Sequence, residues 1–227
     1  AVIGAGPAGI SAAYFLARAG VRGTVFEKAE NAGGIVRRVI PDFRITAEAI
    51  ERDVAMARAW GVNFVYGCEV KSLEELKAFD DVVVCTGAWK PGVLKLQEGQ
   101  ARNAVEFLAS LKKDRHISLG HHVVVVGGGN TAMDTARAAK RVHGVRTVAL
   151  VYRRDAKNMP ADEAELKMAM EDGVAFRTLL SPVSWKDRYL VCEVMELGPA
   201  DAAGRRSPVA TGRFESLKAD SLIAAVG

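Results

Sequence analysis

The chain has 227 residues, 49% hydrophobic and 26% charged, with a formal net charge of +4. That balance suits one or two globular domains with a sizeable core. No apolar run approaches the roughly 20 residues that cross a bilayer, which speaks against a membrane protein. Basic residues are interleaved with acids, as in EELKAF and DEAELK, so no charge block points to a nucleic-acid partner.

The chain opens within an apolar run and stops abruptly, with no basic leader, and is read as a fragment of a longer protein. Residues 1–6 (AVIGAG) predict a strand, residues 7–20 a helix closing at Gly20, and VRGTVFEKA a second strand ending at Glu27–Lys28. Residues 46–61 read as an amphipathic helix with Thr46 as N-cap. Residues 62–70 read as a strand, 73–79 as a short helix and 80–87 as a strand. The stretch 88–100 is a polar, Pro/Gly-punctuated connection. A helix over 105–114 follows. HHVVVVGGG, NTAMDTARAAKRVHG and VRTVALVYRR then repeat the opening design, strand, helix closing at Gly144, strand. Non-alternating valine and isoleucine runs suit parallel strands buried on both faces, so both segments read as βαβ units. A helix over 161–173 has Pro160 as a first-turn residue. Strands over 174–185, 188–197 and 212–227 complete the chain, with AGRRSPV (203–209) a turn. The expected fold is α/β: two Rossmann-like, three-layer dinucleotide-binding domains, the second inserted into the first. Residues 1–112 form the first domain, lacking its C-terminal segment, and 113–220 the second. Residues 221–227 are a return strand toward the first.

Gly4-x-Gly6-x-x-Gly9, with Pro7 and Ala8 inside it, follows a strand and opens a helix. There glycines serve the tight turn, close approach to a diphosphate and close helix–strand packing, and the helix N-terminus favours the anion. Glu27 stands about twenty residues on, where a carboxylate accepts from ribose hydroxyls. Gly33–Gly34 and the Cys85-Thr86-Gly87-Ala88 strand end come next. Alone the glycine pair is also open to reading as an ordinary turn. Together the two are similar to the glycine pair and TG turn that FAD-dependent reductases carry beside the flavin diphosphate. The second loop, Gly127-Gly128-Gly129-Asn130-Thr131-Ala132, is a GxGxxA version. Its following strand ends in Tyr152-Arg153-Arg154 instead of an acid. An acid would repel a 2′-phosphate, whereas arginines offer charge and forked donors, so NADPH is expected over NADH. Solvated arginines partly neutralised by Asp155 are the plainer alternative.

Cys68, Cys85 and Cys192 form no CxxC, which argues against zinc, an Fe–S cluster or a redox dithiol within these residues. A sparse, odd count fits a reducing cytoplasm. His116, His121, His122 and His143 have no metal-like or triad-like neighbours, Asp134 reads as structural, and no metal or catalytic residue is expected. Arg44 in IPDFR is open between a flavin contact and an interdomain salt bridge.

GAGPAGISAAYFLARAG, FEKAENAGG, IPDFRI, GGGNTAMDTARAAKRV and VYRRDAKNMPA, in this order, resemble the NADPH-dependent glutamate synthase small-subunit family of FAD oxidoreductases. The chain also looks like the selenate-reductase-type flavin subunits of that family. The flavin and NADPH regions of dihydropyrimidine dehydrogenase are similar. The resemblance implies FAD on Gly4, Gly6, Pro7, Ala8 and Gly9, with Glu27 at its ribose and Lys28, Gly33, Gly34, Ile35 and Arg44 close by. Val70 would meet the adenine and Thr86–Gly87 would close over the cofactor. It implies NADPH on Gly127, Gly128, Gly129, Asn130 and Thr131, with Arg153 and Arg154 at its 2′-phosphate and Ala225–Gly227 near its nicotinamide. The implied reaction is hydride transfer from NADPH to FAD, with electrons leaving to Fe–S clusters in flanking segments or a partner subunit. A sensor module without turnover and a flavin monooxygenase are the rival readings.

Overall fold

The computed structural model describes residues 1–90, 92–114, 116–200 and 206–226. The chain divides into two compact units, Ala1–Lys90 and Pro91–Gly227.

In the first unit, β1 (Val2–Ile3), α1 (Pro7–Arg18) and β2 (Thr24–Glu27) form the expected βαβ unit. After α2 (Gly34–Arg38), α3 (Ala47–Ala59) and β3 (Asn63–Tyr66), β4 (Val83–Val84) completes a sheet of order β3-β2-β1-β4. Every neighbouring pair is parallel, which requires crossover segments between strands. Val2 and Val25 from the sheet meet Ile10 and Ala13 of α1 and Val54 and Ala57 of α3 in one core. Gly20, at φ +85°, takes the left-handed conformation that closes α1. Thr46 occupies the N-cap position of α3, without a capping bond from its hydroxyl.

The second unit begins with β5 (Arg102–Asn103), α4 (Ala104–Lys113) and β6 (His122–Val126). Next come α5 (Asn130–Lys140), β7 (Thr147–Tyr152), α6 (Glu163–Glu171) and β8 (Ala175–Thr178). The chain then runs through β9 (Leu180–Lys186), β10 (Tyr189–Ala200) and β11 (Arg206–Lys218) to β12 (Ser221–Ala224). A parallel sheet of order β5-β12-β6-β7-β8 carries helices on one face. On its other face lies an antiparallel sheet of order β11-β10-β9. Leu180, Leu190 and Cys192 of that second sheet pack on Val124, Val126, Val151 and Leu222 of the first. This is why the parallel strands are apolar on both faces. Helix α5 is buried continuously over residues 132–139, which explains its alanines. The one cation in that run, Arg137, donates to Asp172 at 2.7 Å. Hydrogen bonds from Arg141, then Arg137, hold the Asp172 carboxyl below the usual carboxylate range.

Several expectations are corrected. The units part at Lys90/Pro91, not at 112/113, because β5 pairs with β12 of the second sheet and Asn103 caps α4 by accepting from Val105 N at 2.8 Å. The tail read as a return strand toward the first domain is an interior strand of the second sheet: β12 pairs with both β5 and β6. Its buried Leu222–Ala224 run suits that place. Pro160 precedes the N-cap of α6, Asp162, instead of lying in the first turn. Residues 206–209 of the expected turn begin β11, while 203–205 lie outside the described residues. Gly144 follows a short turn after α5 instead of capping it directly, the C-cap being Arg141. The strand expected over 62–70 is only Asn63–Tyr66, and a 3-10 turn at Leu73–Leu76 stands for the helix. Helix α2, starting at the glycine pair, was not foreseen.

Candidate functional site

Each unit holds a glycine loop between a strand and the helix after it, β1 and α1 in the first, β6 and α5 in the second. In the first, Gly4 stands at φ +99°, and a Cβ there would lie 2.5 Å from the Cys85 carbonyl oxygen. A Cβ on Gly9 would lie 1.8 Å from the Gly4 oxygen, so α1 presses directly on the loop backbone. Gly6 differs: a Cβ there would meet nothing nearer than Gly34 Cα at 3.9 Å. Its open side faces a cavity of about 450 Å³ lined by Pro7, Ala8, Gly34, Ile35, Val70, Thr86 and Gly87, among others. The first-turn N–H groups of α1, which have no partners within the helix, open at this place.

Glu27, only 6% exposed, also lines this cavity. Its Oε2 accepts from Ala5 N at 2.9 Å, and its Oε1 from Ala29 N at 2.9 Å and Arg38 Nη2 at 3.2 Å. The two backbone donors fix the direction of this buried carboxylate. Lys28 pairs with Glu69 across the same cavity at 4.0 Å.

The first cavity therefore gathers Gly4, Gly6, Pro7, Ala8, Glu27, Lys28, Gly34, Ile35, Val70, Thr86 and Gly87 of the expected set. Gly9 packs behind the loop. Gly33 lines a neighbouring apolar groove with Ile10, Tyr14 and Ile50. Arg44 is not among the lining residues; its N–H closes a turn on the Pro41 carbonyl at 2.9 Å. The cavity adds Phe26, Arg38, Cys68, Cys85 and Trp89, which the sequence reading did not assign to it. Trp89 is pinned by its indole N–H on the Thr86 carbonyl at 3.1 Å; only its place beside the TG turn hinted at this. Cys85 is a free thiol whose burial raises its pKa, which makes it a poor nucleophile.

In the second unit, a Cβ on Gly127 would lie 2.4 Å from the Ala225 oxygen, and one on Gly128 would strike the Tyr152 ring at 2.5 Å. Gly129, the N-cap of α5, has open space. Asn130 and Asp162 bind reciprocally, Asn130 Nδ2 to Asp162 Oδ2 at 2.8 Å and Asp162 N to Asn130 Oδ1 at 3.0 Å. Ala161 N donates to the Gly128 oxygen at 3.0 Å, so the segment before α6 is tied to the loop. Thr131 is exposed in the first turn of α5. At the end of β7, Arg153 is exposed and Arg154 half-buried. The Arg154 Nε is buried without a hydrogen-bond partner, an orphan donor that an anion would satisfy. Asp155 beside the pair accepts from Asn158 N at 3.0 Å and Asn158 Nδ2 at 2.6 Å. Ala225 N donates to the Val126 oxygen at 2.8 Å; Gly227 lies outside the described residues.

Cys192 is buried, and desolvation pushes its thiol up to about 12. Among the described residues, no group of His, Cys, Asp or Glu could hold a metal ion, and no helix is long and apolar enough to cross a membrane.

Two α/β units, each with a glycine cradle at the mouth of a parallel sheet, define a protein with two dinucleotide-type sites. The chain belongs to the pyridine nucleotide-disulphide oxidoreductase family, whose model matches residues 1–227. It is 49% identical, over its full length, to YgfK of Escherichia coli (strain K12), to which an oxidoreductase activity is ascribed, and spans 23% of that protein. Over its full length it is 35% identical to the glutamate synthase [NADPH] small chain of Azospirillum brasilense, spanning 52% of it. The glutamate synthase resemblance read from the motifs therefore holds. FprA, a Mycobacterium tuberculosis oxidoreductase, has the same fold at a TM-score of 0.80 and 21% identity, over all of this chain and 70% of that one.

Proposed function

We propose that the chain is the nicotinamide-to-flavin core of an NADPH-dependent oxidoreductase, with FAD on the first cradle and NADPH on the second. When bound, the nicotinamide supplies a hydride and the flavin accepts it. The carrying observation is the contrast at the two strand ends: a buried Glu27 carboxylate held by backbone donors in one unit, and Arg153 with the orphaned Arg154 Nε in the other. Open space over Gly6 and Gly129 fits a diphosphate at each loop. Val70, Ile35, Thr86 and Gly87 hold the first cofactor's flanks, Asn130 and Thr131 the second's phosphates, and Ala225–Gly227 its nicotinamide half. Gly33 and Arg44 act on the first cofactor by shaping the backbone beside it, since neither lines the cavity.

The protein's own part is positioning and exclusion of water. No side-chain acid, base or nucleophile takes part, in keeping with the weakly acidic Cys85 and Cys192 thiols. Residues 1–90 serve as the FAD domain and 91–227 as the NADPH domain. Electrons then leave to an Fe–S-bearing domain or subunit outside this chain, in the cytoplasm. Full-length protein purified in air is expected to be yellow and to bleach anaerobically with NADPH faster than with NADH. A colourless protein that binds NADPH would support the dinucleotide sensor instead.

A further inference from the structure

The charged residues that the sequence reading gave the first cradle are Glu27, Lys28 and Arg44. The folded chain brings in another, Arg38, by a route with no sequence signature. Gly34 opens α2 against the loop: a Cβ there would lie 2.9 Å from Gly6 Cα. Arg38 is one turn further along α2, about 6 Å by helical rise. From there its guanidinium turns back into the cavity and donates to Glu27 Oε1 at 3.2 Å.

Acceptor accounting limits what Glu27 does alone. A carboxylate offers about four lone-pair sites. Ala5, Ala29 and Arg38 take three, so one remains for a sugar hydroxyl. Charge accounting gives Arg38 its own role. The cavity's charged side chains are Glu27, Lys28, Arg38 and Glu69, paired as Arg38–Glu27 and Lys28–Glu69. Their sum is zero, yet the ligand brings a doubly anionic diphosphate. A guanidinium carries five N–H donors, and among the described contacts Glu27 takes one. The side chain is a third exposed and lines the same cavity as Gly6, Pro7 and Ala8.

Resting on the reading of this cradle as the FAD site, we propose that Arg38 is a cofactor-binding residue specific for the diphosphate, held ready by its ion pair with Glu27. Glu27 keeps the guanidinium inside the cavity before the cofactor arrives. The helix N-terminus and Arg38 then meet the diphosphate from two sides.

The test uses full-length apoprotein, wild type and Arg38→Gln and Arg38→Lys variants, titrated calorimetrically with FAD, ADP and adenosine. Arg38→Gln is expected to weaken FAD and ADP by about tenfold, the size of one charge-assisted hydrogen bond. Adenosine affinity and the apoprotein melting temperature stay at wild-type values, and Arg38→Lys recovers part of the loss. An equal loss for adenosine and ADP, no loss for either, or a loss that tracks a lowered melting temperature overturns the proposal. Wild-type protein that binds neither FAD nor ADP overturns the flavin assignment of the cradle, and this inference with it.

Discussion

The two glycine cradles share one plan and part at two places. Both leave space over the residue that N-caps the helix, Gly6 in one and Gly129 in the other, which is what a diphosphate on a helix N-terminus requires. They differ in how near the helix comes. At Gly9 a methyl group would land 1.8 Å from the Gly4 oxygen, whereas Ala132 carries its methyl fully buried beside Gly127. They differ again at the strand end, Glu27 against Tyr152-Arg153-Arg154. On the proposed reading, the shared part faces what all dinucleotides have in common, and the divergent part faces what distinguishes them.

The helix spacing gives the largest expected effect. Gly9→Ala forces backbone against backbone, where no rotamer offers relief, and is expected to destabilise the first unit by on the order of 3 kcal/mol. Thermal melting followed by flavin release would register this, while NADPH binding at the second loop persists. A variant that melts like wild type would mean that α1 has room to move and that the contrast with Ala132 is incidental. Next comes the strand end. Replacing Arg153 and Arg154 together with alanine is expected to weaken NADPH by roughly 100-fold, the scale of two charge-assisted hydrogen bonds, and to leave NADH nearly untouched. Equal losses for the two nucleotides would take the 2′-phosphate away from this pair.

What the sequence disclosed and what it hid follow from range. The loops were legible because turn, helix start and strand end lie within about thirty residues and each glycine has a local reason. The valine runs announced buried parallel strands. They did not announce neighbours: Ser221–Ala224 suits the middle of any parallel sheet, and only its register with Val123–Val126 shows which sheet took it. Arg38 was hidden because α2 spans five residues, too few for a periodic pattern, and its role depends on a carboxylate eleven positions away. Arg44 drew attention through a motif, yet it is not among the residues lining the cavity.

Glu27→Gln probes the first strand end with a smaller effect. The amide keeps one acceptor but turns an N–H₂ toward Ala5, Ala29 or Arg38, all donors. FAD is expected to weaken by about 1–3 kcal/mol, read from the dissociation constant. If retention is unchanged, the ribose hydroxyl has another partner, and the acid-versus-arginine contrast between the cradles loses its meaning.

The smallest effect answers the question that Gly9→Ala opens. Ala132→Gly gives the second loop the first loop's third residue. It removes one buried methyl and places glycine in the first turn of α5, which costs about 1 kcal/mol in melting experiments. Since Ala132 touches the underside of Gly127 and not the open side of Gly129, NADPH affinity should not follow the stability downward. Were affinity for NADPH to fall as far as in the arginine variants, helix spacing would be setting nucleotide choice. The last residue of the loop would then belong to the distinguishing part of the cradle, not to its packing.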